Sequence, residues 1–160
     1  MTDNNANDNS APAKAIKKPK TSQNRRKSRE LVLKAIYRGM MNAGELKQIA
    51  SDAKEDPDYI KTDEAYFKQL LTGVTENVEK LDQEISMFID RKINELSPVE
   101  HAILRISSYE LFFDVSIPYR VAINEGVELA KVYGGVDGHK YINGVLDKLA
   151  AVARPMEFRK

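Results

Sequence analysis

Apolar residues along this chain recur at helical rather than strand spacing, and that spacing sets out its elements. Leu31, Val32, Ala35, Ile36 and Met40 form one stripe of a first helix beginning near residues 23–25. Ile49 and Ala53 give a second, shorter helix a thin apolar edge, and Asn42 and Glu45 before it have capping-box spacing. Asp56-Pro57-Asp58 is a break. Thr62 is placed to cap a third helix, with Asp63 and Glu64 at the positive end of its dipole. Phe67, Leu70, Leu71, Val74, Val78, Leu81, Ile85, Phe88 and Ile89 continue it in steps of three and four. They predict one amphipathic helix of about 27 residues.

Ser97-Pro98-Val99-Glu100 is the sharpest local signal: Ser97 caps, Pro98 takes the first helical position, and Glu100 can reach back to the cap amide. The helix it opens is apolar on most sides, which places it at the centre of the core. Ile117-Pro118 opens a fifth helix that Gly134-Gly135 ends. Asp137 is placed to cap a sixth, with Tyr141, Ile142, Val145, Leu146, Leu149 and Val152 inward, and Pro155 stops it. Residues 113–117 alternate weakly like a strand but have no partner strand. The expected class is all-α, a compact bundle of six or seven helices. Gly73, Gly126 and Gly144 interrupt helical patterns. Each costs about 1 kcal/mol relative to Ala, and close helix packing is the expected return.

Residues 1–21 are Asn, Asp, Ala, Pro and Lys with almost nothing to bury, and read as a disordered basic arm. The folded domain is expected over 22–155, with 156–160 as a tail. The chain has 160 residues, one domain by length. Its net charge of +1 hides an asymmetry. Residues 1–30 carry eight Lys or Arg against three acids, and the rest carry 17 bases against 21 acids. A basic arm on a mildly acidic body suggests a polyanionic partner, and a solubilising tail is the bland alternative. No stretch approaches the ~20 apolar residues of a membrane span. With no secretory h-region and no cysteine, the expected setting is a reducing cytoplasm.

Enzyme chemistry is thinly supplied. The two histidines, His101 and His139, lack a Glu three residues before them, so the di-iron bundle pattern is missing. The phosphate-cradling glycine motifs and the His-Glu-x-x-His motif are absent. No cofactor, metal or catalytic residue is expected. Glu125, Glu128 and Lys131 read as a solvated ion-pair face. Arg25, Arg26, Lys27 and Arg29 instead open the first helix, where cations oppose the macrodipole. An external anion would reward that placement. On a helical wheel Arg25 and Arg29 continue the apolar line, so the helix is expected to leave the core at its start. Arginines for phosphates with tyrosines for bases is the composition of single-stranded RNA sites. Tyr37, Tyr119 and Tyr141 are the stacking candidates, with core packing equally open for Tyr141.

Val121-Ala-Ile-Asn-Glu-Gly-Val-Glu-Leu-Ala-Lys131, followed by His139-Lys-Tyr-Ile-Asn-Gly-Val-Leu-Asp-Lys148, resembles the C-terminal signature of the NusB family of bacterial transcription antitermination factors. The segment Val99–Leu111 and the Arg-rich opening of the first helix agree in order and spacing, so the resemblance spans residues 25–155. It implies two small helical subdomains. It also implies binding of the boxA element of nascent RNA jointly with NusE, a small-subunit ribosomal protein, within an RNA polymerase complex that suppresses termination, chiefly in ribosomal RNA operons. Carried onto this sequence, the RNA side would include Arg25, Arg26, Arg29, Tyr37, Asp137, His139, Lys140 and Tyr141. The NusE side would include Phe88 and Glu100, with Tyr37 at the junction. Gly138 stands where related chains often have a bulkier residue. Three other readings stay open: the RNA-binding front domain of a ribosomal RNA methyltransferase, a helical adaptor that binds protein only, and a homodimer with its RNA face covered.

Overall fold

A computed structural model of the chain describes residues 20–42 and 44–158. Among these there is no strand, and the elements are eight α-helices and two short 3-10 segments. They are α1 (Ser22–Asn42), α2 (Leu46–Ala53), a 3-10 turn (Pro57–Lys61), α3 (Glu64–Glu76), α4 (Val78–Ser86), a second 3-10 turn (Ile93–Glu95), α5 (Pro98–Phe113), α6 (Tyr119–Tyr133), α7 (Gly138–Ala153) and α8 (Pro155–Phe158). The all-helical class holds, and the helix count exceeds six or seven for two local reasons.

The first is Asn77. Its side-chain amide donates to the Gly73 carbonyl at 2.7 Å, and its backbone leaves helical geometry at φ −119°, ψ 21°. Asn competes for backbone hydrogen bonds in this way, and the expected long third helix becomes α3 and α4. The break lets α3 pack on α1 while α4 packs on α5, with Leu81 and Ile85 still buried. Phe88 and Ile89 fall beyond α4, half-buried in the following turn. The second reason is the C-terminus: α7 ends before Pro155 as expected, but the chain continues as α8, whose Phe158 ring lies 5.3 Å from that of Tyr119.

Capping was legible in part. Ser97 Oγ accepts the Glu100 amide at 3.1 Å, so Ser97-Pro98 starts α5 as the sequence reads. α3 is capped by Asp63, not Thr62: Asp63 accepts the Tyr66 amide, while the Thr62 hydroxyl donates to the Tyr59 carbonyl. α2 has Glu45 at its N-cap without a side-chain hydrogen bond. Asp137 is the N-cap residue of α7 but makes no capping bond; it takes the left-handed conformation at φ 65°.

α5 is the axis of the core. α1, α3, α4, α6 and α7 all pack on it, and α2 closes over α1. Two glycines permit close crossings. The Tyr109 ring fills the space a Gly73 side chain would take, and Ser107 and Leu146 fill that of Gly126. Gly144 is different: it is exposed, with nothing within 4 Å, so the packing expected there is missing.

α4 is tied to α5 through Asp82, which pairs with His101 Nε2 at 2.8 Å and accepts from Arg105 Nε and Nη2 at 2.9 and 2.7 Å. Burial works against the Asp82 charge, but the His101 and Arg105 bonds outweigh it and hold the carboxyl at about 2. A folded pKa below the unfolded value stabilises the fold above that value, and the stabilisation is lost as pH falls through the folded pKa. Asp82→Asn should therefore cost about 2 kcal/mol at pH 7 and flatten the stability profile between about pH 4 and 2. Urea unfolding across that range checks it; parallel profiles for both proteins would count against it.

Candidate nucleic-acid interface

Two groups of the expected residues lie on different elements. At the start of α1, Thr21 and Asn24 cap each other reciprocally: Thr21 Oγ1 accepts the Asn24 amide and Asn24 Oδ1 accepts the Thr21 amide. The helix does not leave the core there. Ser28 and Arg29 are buried, and the Ser28 hydroxyl donates to the Asp63 carbonyl at 2.8 Å. Arg29 Nε donates to Glu110 Oε2 at 2.8 Å inside the bundle, with Glu125 3.6 Å from Nη1. Arg29 is thus part of the core and does not share a surface with Arg25 and Arg26.

Those two remain accessible but are partnered. Arg26 makes a two-pronged pair with Glu125, at 3.0 and 2.8 Å, and that hydrogen bond and charge raise its pKa. The Arg25 guanidinium sits 4.2 Å over the Tyr66 ring, with Asp63 at 3.8 Å. Lys27 pairs with Glu30 and Asp58, Lys34 with Asp56, and Arg38 with Asp52. Every cation of α1 therefore has a carboxylate within reach. Acids from other elements answer charges that, read along α1 alone, ask for an external anion. Glu125 leaves the solvated face expected for it, and only the Lys131–Glu128 pair at 3.2 Å behaves as that reading described. The arm lysines Lys14, Lys17 and Lys18 lie outside the described residues.

The second group gathers where the α4–α5 connection meets the start of α7. Tyr141 is half-buried against the core, and its hydroxyl donates to Asp90 Oδ1 at 3.3 Å. Burial pushes its phenol up, against the pull of the Arg91 charge. Arg91 covers the ring face at 4.5 Å and pairs with Asp90 at 2.7 Å. Tyr141 is thus both core rim and partner to a cation. Lys140 is exposed, and among the described residues its one ion pair is a 3.4 Å contact to Asp137. His139 is half-buried beside it. Glu100 does not complete a capping box; its Oε2 lies 3.0 Å from where a Gly138 side chain would begin. A bulkier residue at 138 would press on that carboxylate, so Gly138 joins Glu100 to the 137–141 segment. Phe88 is half-buried in the turn after α4. Tyr37 is 39% exposed on the outer flank of α1, eight residues or about 12 Å beyond Arg29. Arg91 was missed by sequence reading, because a lone arginine in a connection carries no periodic signal.

The described residues hold no cluster of three or more metal-ligating side chains, and no described helix is long and apolar enough to cross a membrane. Fold and site define an all-helical protein whose rim mixes paired cations with half-exposed tyrosines. The NusB family model matches residues 26–151, and the chain belongs to the NusB family. A relative from Methylobacillus flagellatus is 59% identical over 150 residues, 93% of this chain and 97% of its own length. One from Thiobacillus denitrificans is 50% identical over 133 residues, 83% and 92% of the two chains. Both are named transcription antitermination protein NusB. Among solved structures, T. maritima NusB superposes with a TM-score of 0.73 at 32% identity, over 91% of this chain and all of that one. A crystal structure of antitermination factors NusB and NusE in complex with dsRNA gives 0.71 at 25% identity, over 79% and 96%.

Proposed function

We propose that this chain is a non-enzymatic transcription antitermination factor of the cytoplasm. Its domain, residues 22–155, would bind boxA RNA together with NusE and join RNA polymerase to suppress termination, chiefly in ribosomal RNA operons. The observation that carries the reading is the 59% identity, over nearly the full length of both chains, to a protein named for that activity. The structural likeness to a NusB chain crystallised with NusE and RNA adds support.

On this reading RNA meets the start of α7, where Lys140 is exposed and Arg91 and Tyr141 offer a cation and a ring. It meets the start of α1 through Arg25 and Arg26. A phosphate there would take the place that Glu125 holds on the Arg26 fork, its two free oxygens accepting as the two carboxylate oxygens do. Because each α1 cation already has an acid, the net gain per contact is small. The salt dependence should therefore be shallower than the slope near −3 of four unpaired cations on a single strand. NusE would sit across Glu100, Phe88 and Tyr37 and raise RNA affinity by linkage.

Anisotropy of a labelled boxA-type RNA across a salt series, with and without NusE, tests this. A scrambled RNA and the double variant Arg25→Ala, Arg26→Ala serve as controls. Arg29 stays intact, because its loss would open the core. Sequence-dependent binding, strengthened by NusE and weakened about tenfold in the double variant, is expected. Equal binding to scrambled RNA would sink the reading. The internal pairing of the α1 cations favours a protein-only adaptor as the second reading, for which NusE binding survives the double variant and RNA binding is absent throughout.

A further inference from the structure

On the outer face of the bundle, α6 and α7 leave a groove of about 490 Å³. It includes Tyr119, Arg120, Asn124, Asn143, Asp147 and Phe158 among its lining residues. Seven other described arginines (25, 26, 29, 38, 91, 105 and 154) have a carboxylate partner. Among the described residues Arg120 has none; it donates to the Tyr119 hydroxyl at 3.0 Å, with its guanidinium 5.5 Å from that ring. Tyr119 and Phe158 form an aromatic wall. Asn124, Asn143 and Asp147 are exposed and make no side-chain hydrogen bond or ion pair among the described residues. Gly144, beside Asn143, is the helical glycine with no packing reason. It weakens α7 and leaves the backbone bare to close approach.

We propose that this groove is a nucleotide-binding subsite. An unpaired guanidinium suits a phosphate, the aromatic pair suits the face of a base, and two carboxamides with a carboxylate suit its hydrogen-bonding edge. Asp147, an acceptor only, selects bases that present an exocyclic amine. The site is separate from the α1 patch. Helical spacing of 100° per residue turns Arg120, Asn124 and Val127 on average roughly 105° from Glu125, Glu128 and Val132, which border Arg26, with Asn124 and Glu128 neighbours at the boundary. It is continuous with the α7 patch, since Lys140, Asn143 and Asp147 follow at i, i+3 and i+7 along one strip. The inference rests on the proposed RNA function only for the source of the nucleotide: a strand leaving the start of α7, or a free mononucleotide.

The test uses the full chain, isotope-labelled, with NMR titration of GMP, CMP, UMP and inorganic phosphate, and separately of a short single-stranded RNA. GMP and CMP should shift the side-chain amides of Asn124 and Asn143 and the Gly144 amide, with UMP weaker. Arg120→Ala and Asn143→Ala should each weaken RNA binding about fivefold or more. Both side chains are exposed, so the unfolding midpoint should stay unchanged. Groove shifts with RNA assign the source to the strand; shifts with mononucleotides alone assign it to a free nucleotide. No shift with any nucleotide, or the same response to phosphate as to GMP, overturns the proposal. RNA bound with wild-type affinity by both variants, and no groove shifts with mononucleotides, overturns it while leaving the antitermination reading intact. If wild type binds no RNA, that reading falls and the mononucleotide titrations still decide the groove.

Discussion

Glu110→Ala should be among the most destabilising single substitutions in this protein, costing about 3–5 kcal/mol and lowering Tm by at least about 6 °C. Glu110 lies fully buried in the middle of α5. Its Oε2 accepts from Arg29 Nε at 2.8 Å and from the Tyr66 hydroxyl, and its Oε1 has no hydrogen-bond partner among the described residues. Removing it leaves Arg29, also buried, with only the longer 3.6 Å contact to Glu125 among the described carboxylates, and its guanidinium cannot shed its proton. Arg29→Ala should cost less. Burial already pushes the Glu110 carboxyl up against the pull of Arg29. Freed of that pull, the carboxyl can take a proton and stay bonded to Tyr66. The triple variant Arg29→Met, Tyr66→Phe, Glu110→Leu should recover most of the loss, because well-packed apolar groups replace a buried ion pair at little cost. Urea unfolding of the three variants beside wild type measures the series. A Glu110→Ala protein within about 1 kcal/mol of wild type would show that the network contributes little.

Arg154→Ala should cost about 2–4 kcal/mol, although Arg154 lies outside both the family match and every periodic stripe. Its side chain is 6% exposed and closes the C-terminal end of α5. Nε donates to the Leu111 carbonyl at 2.7 Å, and Nη2 to the carbonyls of Glu110 at 3.0 Å and Asp114 at 2.8 Å. The Leu111 carbonyl is one a helix end leaves open, the Glu110 and Asp114 carbonyls also accept the Asp114 and Ile117 amides, and a cation there favours the macrodipole. Nη1 pairs with Glu157 at 2.7 Å, which ties α8 to the same point. Arg154→Lys should recover less than half of the loss, since a single ammonium cannot span the three carbonyls as the planar fork does. Thermal unfolding decides it, and an Ala variant within about 0.5 kcal/mol of wild type would refute the assignment.

Both predictions fall on charged residues that periodicity treats as surface, and the reason separates what was legible from what was not. Helix positions, the Ser97-Pro98 start, the central place of α5 and the all-helical class follow from local spacing and capping chemistry, which act over a few residues. The break at Asn77 was invisible, because apolar steps of three and four continue across it. A basic helix start reads as an anion site while its partners are unknown. Asp63, Glu110 and Glu125 lie 38, 81 and 99 positions from Arg25, Arg29 and Arg26, and only the packed bundle brings them together. The same holds for Arg91 over Tyr141 and for the groove of Arg120, Asn143 and Phe158. The chain's local chemistry by itself determined which segments are helical and which faces they bury. Tertiary structure alone decided which charges are spent inside and which remain for a partner, because pairing energy depends on distances that sequence separation does not encode.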